Sequence, residues 1–134
     1  MSTQANVQIV KDAFTAIGCG DLRGLLRLTA DDIVWVVPGQ WALAGTHSGH
    51  AGLTAFFQKS SAVMTMSYPR PLEFIGQEDR VVVVGFATGI INATQKTFED
   101  HFVFVMTLRD GKLTHVQEYI DTLAMARASG QALS

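Results

Sequence analysis

The chain has 134 residues, 48% hydrophobic and 16% charged, with a formal net charge of −2 and a mean hydropathy of +0.22. That length suits one domain over residues 1–134, able to bury roughly 65–70% of its unfolded surface without staples, and the composition excludes a disordered chain. The faintly acidic balance leaves no basic footprint, so nucleic acid is not an expected partner.

A single cysteine, Cys19, excludes an internal disulfide and a cysteine-based zinc site, and it reads as a small buried apolar residue. No apolar run approaches the ~18 residues of a membrane span. The N-terminal MSTQANVQIVKDAF lacks the basic-then-apolar plan of a secretory leader. The expectation is a cytoplasmic protein with no membrane partner. The high hydropathy of so short a chain hints at a face buried against another subunit or around a ligand.

In chain order, Val7, Val10, Phe14 and Ile17 recur at helical spacing, so residues 4–17 read as an amphipathic helix that Gly18 and Gly20 end. Asp21 can cap a second helix through about Leu28, with Leu22, Leu25 and Leu26 turned inward. IVWVV at 33–37 is a short apolar strand closed by Pro38-Gly39. The glycine-rich GQWALAGTHSG that follows reads as a loop. Leu53, Phe56 and Phe57 suggest a third helix from His50 to about Val63, which Tyr68-Pro69-Arg70-Pro71 cannot continue.

From there the pattern turns to strands: 72–76, 81–91, 98–108 and 113–120, with a short closing helix at 123–128. Helices gathered before a run of antiparallel strands argue an α+β fold with the helices on one face of a curved sheet. The other face then needs water or a twin subunit to cover it.

Asp110-Gly111 between the last two strands is a strong hairpin signal, because both central residues of a type I′ turn need positive φ. With Arg109 facing Lys112, the ladder pairs Leu108 with Leu113, Thr107 with Thr114, Val105 with Val116 and Phe102 with Tyr119. That register makes His101 and Glu118 diagonal neighbours and sets Asp100 opposite Asp121. A three-residue loop with a Gly111 bulge would instead put Glu118 with Asp100 and Phe102.

These residues are the candidate catalytic groups. An imidazole beside a buried carboxyl is tuned toward neutral pH, where a general base works best, so His101 and Glu118 form a candidate acid/base pair. The plainer alternative has His101 at a polar strand edge and Glu118 paired with a surface lysine. Asp100 and Asp121 form a second carboxylate pair able to share a proton, unless Asp121 simply caps the closing helix. His47 and His50 have an H-x-x-H spacing, but no third ligand lies nearby, so no metal is expected.

GDLRGLLRLTADDIVW (20–35), PG (38–39), AGTHSGHAGLTAFF (44–57) and LRDGKLTHVQEYIDT (108–122) resemble, in the same order, the SnoaL-like branch of the nuclear transport factor 2-like superfamily. The resemblance implies a cone: a curved sheet wrapped around three helices from the N-terminal half, enclosing an apolar pocket with a few polar groups at its bottom. It further implies homodimers through the sheet face, a small hydrophobic or aromatic ligand and no cofactor. Glu118 falls where limonene epoxide hydrolases place the acidic member of an Arg-Asp-Asp arrangement, but Gly85 and Ala87 stand where the other two belong. Polyketide cyclases of the family use a His and an acidic residue, for which His101 and Glu118 are the counterparts here. In such a cone Trp35, Trp41, His47, Phe57 and Tyr119 are the candidate ligand-binding residues, with ring planes to offer a flat molecule.

Overall fold

The computed structural model describes residues 2–130. Helix α1 spans Thr3–Cys19, opened by the Ser2 hydroxyl accepting from the Ala5 N–H at 3.0 Å and ended by Gly20 in the left-handed region at φ 70°. Asp21 accepts from the Gly24 N–H and starts α2, Leu22–Arg27. The remaining elements are β1 Thr29–Val37, β2 Gly45–Ser48, α3 Gly49–Val63, β3 Met64–Ser67, β4 Glu73–Gln77, β5 Arg80–Ile91, β6 Thr97–Arg109, β7 Lys112–Tyr119 and α4 Thr122–Ala128.

The seven strands of the described residues join one curled sheet in the order β2-β1-β7-β6-β5-β3, with β4 also paired to β5. The long strand β5 is shared on its outer edge: its first half carries β4 and its second half β3. β1 runs parallel to β7, while the other pairs are antiparallel. Helix α1 lies over β4 and β5, and α3 lies over β1. This is the α+β cone of the nuclear transport factor 2-like fold, as the sequence leads one to expect.

Two strands were hidden from sequence reading. GTHS at 45–48 reads as loop because the segment around it is rich in glycine, yet its backbone extends the sheet edge by pairing with 34–37. Met64–Ser67 reads as a fraying helix end, but Met64 and Met66 turn inward against Ile91 and Gly89 of β5. Cys19 is exposed rather than buried, because it is the last residue of α1 and lies past the inward stripe of Val10, Phe14 and Ile17.

The final hairpin both meets and corrects expectation. Asp110 and Gly111 adopt φ 52° and 77°, and Arg109 pairs with Lys112 and Leu108 with Leu113. One step further the ladder slips: Thr107 pairs with His115, and Thr114 is the extra residue of a β-bulge, its hydroxyl donating to the Thr107 carbonyl at 3.2 Å. Leu113 and Val116 are three positions apart, so an unbroken strand would aim them at opposite faces. The bulge buries both. Beyond it Val116, Glu118 and Ile120 share the inner face with Phe102, Phe104 and Met106, while His101, Val103 and Val105 face out with Gln117 and Tyr119.

Candidate active site

The inner face of the sheet, α3 and the C-terminal end of α1 enclose a cavity of about 370 Å³, within the range of small-molecule sites. Its walls are mostly aromatic and aliphatic. Trp35 meets Phe57 edge-on at 5.3 Å and Phe104 at 6.2 Å, and Phe104 meets Phe102 at 5.3 Å. Gly85 stands opposite Phe102 on the neighbouring strand, and a Cβ there would collide with that ring and with Leu72. The missing side chain is what lets Phe102 lie over the sheet. Residues 17–20, Ser60 and Ser61 line the cavity from the ends of α1 and α3.

Two carboxyl groups and a phenol line this apolar volume: Glu118, Asp100 and Tyr68. Glu118 is buried, and its Oε2 accepts a hydrogen bond from the Trp35 indole N–H at 2.5 Å. The two meet because Trp35 pairs with Val116 across the parallel β1–β7 ladder, which leaves Glu118 diagonally adjacent on the same face. Loss of solvent pushes the Glu118 carboxyl up to about 8, against the pull of the Trp35 N–H and with a further push from Asp100.

Asp100 is buried opposite Ala87, and its Oδ1 accepts from the Asp121 N–H at 2.8 Å. Burial raises it above the ordinary carboxylate range, the Asp121 N–H opposes that rise, and the charge on Asp121 adds to it. Tyr68 follows β3 and meets Phe102 edge-on at 5.9 Å. As a residue it is 36% exposed, yet its phenol is desolvated; burial, then the charges of Glu118 and Asp100, push it up to about 12. It therefore stays a hydrogen-bond donor throughout the neutral range.

Of the residues singled out from sequence, Glu118, Asp100, Trp35, Trp41 and Phe57 line the cavity. The other four do not. His101 is exposed on the outer face, its ring 4.7 Å from Phe86, because the Thr114 bulge turns Glu118 to the opposite side of the sheet. The expected His101–Glu118 pair is thus not assembled. Asp121 caps α4 by accepting from the Ala124 N–H at 2.9 Å, the structural alternative weighed for it, and touches the site only through its own N–H on Asp100.

Tyr119 is 54% exposed on the outer face, turned there by the same slip of register. His47 stacks on Phe56 at 4.4 Å without lining the cavity, and His50 bonds to Thr29. Among the described residues no cluster of three or more His, Cys, Asp or Glu could hold a metal ion. No helix among them is long and apolar enough to cross a membrane.

Sequence reasoning missed Tyr68. The signal was the alternation of Met64, Met66 and Tyr68, a period of two that marks three inward residues just after a helix.

The SnoaL-like domain family matches residues 10–116. The chain belongs to that family. Among solved structures, this SnoaL-like protein is similar to a nuclear transport factor 2-like protein of Burkholderia xenovorans, with 59% identity, a TM-score of 0.90, and 96% of this chain and 98% of that one covered. It is also similar to TerC, co-crystallised with polyporic acid, at 32% identity and a TM-score of 0.84 over 95% and 99% of the two chains. A protein of Mycobacterium tuberculosis, Rv0034, is 24% identical over 119 residues, covering 89% of this chain and 91% of that one.

Proposed function

We propose that this SnoaL-like protein binds a small hydrophobic or aromatic metabolite in its cone and moves a proton on it without a cofactor, as an isomerase, cyclase or hydratase does. The observation that carries the reading is Glu118: a buried carboxyl group in the wall of an apolar cavity, oriented by Trp35 and pushed up to about 8. At pH 7 such a group is mostly the neutral acid with roughly a tenth ionised, so both forms needed for a proton shuttle coexist.

In this scheme ionised Glu118 removes a proton from the carbon next to a carbonyl. The electron pair moves onto the carbonyl oxygen, and Tyr68 donates a hydrogen bond to the resulting enolate. Protonated Glu118 then returns the proton to a different carbon, or to the same one. Asp100, raised by burial, is a second donor to that oxygen when protonated. Similarity to TerC, a protein co-crystallised with polyporic acid, supports an aromatic ligand for this cavity.

A second reading, ligand binding without turnover, is favoured by one feature. Among the described residues no lysine, arginine or histidine lines the cavity, so a developing negative charge would meet no cation there. We also propose a homodimer through the outer sheet face, where Tyr119 stands 54% exposed beside Val103 and Ile75 stands 51% exposed beside Val82, the neighbour of Val105.

The bicyclic ketone 2-tetralone, whose α protons are acidic and whose skeleton is flat and apolar, tests the reaction class. Proton NMR in D₂O should show deuterium entering its α positions faster with the protein than with buffer, and E118Q should abolish the difference. Wash-in that is equal with and without protein leaves only the binding reading, and an acceleration that survives E118Q would mean that Glu118 is not the base.

A further inference from the structure

The polar groups around the cavity all favour one sign of charge. Its titratable wall residues are Glu118, Asp100, Tyr68 and Cys19, none of which becomes positive, and no lysine, arginine or histidine joins them among the described residues. Glu118 and Asp100 each commit one carboxyl oxygen within the fold, Oε2 to the Trp35 indole and Oδ1 to the Asp121 N–H. Their other oxygens, Oε1 and Oδ2, have no hydrogen-bond partner among the described residues, although both residues are buried. Neither oxygen is sealed off. Among the described residues that are not exposed, Trp41 Nε1 is the one unpartnered polar side-chain atom without open surface, so the free oxygens of Glu118 and Asp100 open on the cavity that their residues line.

Two helices turn their carbonyl ends to the same volume. Residues 17–20 close α1, Ser60 and Ser61 lie in the last turn of α3, and all of them line the cavity. The capping groups there are neutral, the Gly20 N–H on α1 and the Asn92 amide on α3, and neither helix has a basic residue in its last turn. The negative end of each dipole is therefore left uncompensated. Trp35, Phe57, Phe102 and Phe104 line much of the remaining wall, and aromatic ring faces attract cations. A carboxylate away from water needs a counter-charge, and this wall holds none.

We infer that the ligand is an apolar amine, held by its ammonium group on the free oxygens of Glu118 and Asp100 while its hydrocarbon part lies among the rings. This rests on the reading of the cavity as a site for a small hydrophobic or aromatic molecule and names the class. Proton transfer on such a ligand starts from ionised Glu118, the form that an ammonium group favours.

Three compounds with one bicyclic skeleton separate charge from hydrogen bonding: 2-aminotetralin, an ammonium at pH 7; 2-tetralol, a neutral donor; and tetralin-2-carboxylate, an anion. In calorimetric titrations of the wild-type protein the amine should bind about tenfold more tightly than the alcohol, the margin of a charged hydrogen bond over a neutral one, and the carboxylate should bind most weakly. E118Q and D100N should each narrow the ratio of amine to alcohol affinity. Burial keeps both carboxyls raised, so at pH 7 the amine should displace up to about one proton as it binds, read from the dependence of the binding heat on the ionisation enthalpy of the buffer, and the alcohol none.

An alcohol bound as tightly as the amine, a carboxylate bound as tightly as either, amine uptake without proton release, or a wild type that takes up none of the three would overturn the assignment. These wild-type comparisons decide even if a variant folds poorly. Failure of the proton-transfer reading looks different: the amine is preferred and displaces a proton, but no deuterium enters 2-tetralone.

Discussion

Trp35 and Glu118 are 83 residues apart in the chain and bonded at 2.5 Å, the indole N–H of β1 donating to the carboxyl of β7 across a parallel ladder. A hydrogen bond from a donor favours the ionised carboxylate, so this contact holds Glu118 below where burial alone would take it. W35F removes the donor and keeps an aromatic ring. The rate of 2-tetralone exchange, which should climb as Glu118 ionises, is expected to reach its midpoint at higher pH in W35F than in the wild type. A midpoint that stays put or moves down would show that the bond does not tune the acid.

The same displaced titration links stability to pH. The folded Glu118 pKa of about 8 lies above the ordinary 4.5, so the native state holds its proton more tightly than the unfolded chain does. Its contribution is fully present below pH 4.5 and is lost as pH rises through 8, an effect of up to a few kcal/mol. The amide introduced by E118Q cannot titrate. Urea unfolding midpoints measured from about pH 5 to about pH 9 should therefore fall less steeply for E118Q than for the wild type, and parallel curves would contradict the buried acid.

Asp100 joins the cavity to the last helix through the Asp121 N–H. D100A leaves that donor without its acceptor at a buried site and should cost about 1–3 kcal/mol in urea unfolding, while D100N, whose amide oxygen can still accept, should cost less. Equal losses for the two variants would mean that packing, not the hydrogen bond, is what Asp100 supplies.

His101 gives a control on the opposite face. Because its imidazole lies outside the cavity, H101A should leave 2-tetralone exchange within about twofold of wild type, a change under about half a kcal/mol, whereas E118Q removes it. A collapse of exchange in H101A would place the imidazole in the proton path despite its outward position.

Much of the architecture was legible because its signals are local. The Asp110-Gly111 turn, the capping aspartates Asp21 and Asp121, and the helical stripe of Val10 and Phe14 each follow from a few adjacent residues. Glu118 and Asp100 could be named as site candidates because they are acidic residues in an apolar hairpin, and Trp35 because the resemblance to a cone sets the first strand against the pocket. Their partners could not be read so easily. Glu118 reaches Trp35 and not His101 because one residue, Thr114, is squeezed out of the ladder, and only the joint burial of Leu113 and Val116 betrays that slip. Tyr68 escaped notice since the two prolines that follow it suggest a surface turn, while the pairing of Met64–Ser67 with a strand some two dozen residues later carries it to the cavity.

The 13Cδ resonance of Glu118, assigned by its disappearance in E118Q and followed across the acidic and basic range, reads the state of the buried acid directly. It should inflect near pH 8, the value set by a carboxyl shut away from water beside Asp100 and restrained by Trp35. An inflection at the ordinary 4.5 would mean that solvent reaches the group freely, and the case for a buried acid poised to move protons would be lost.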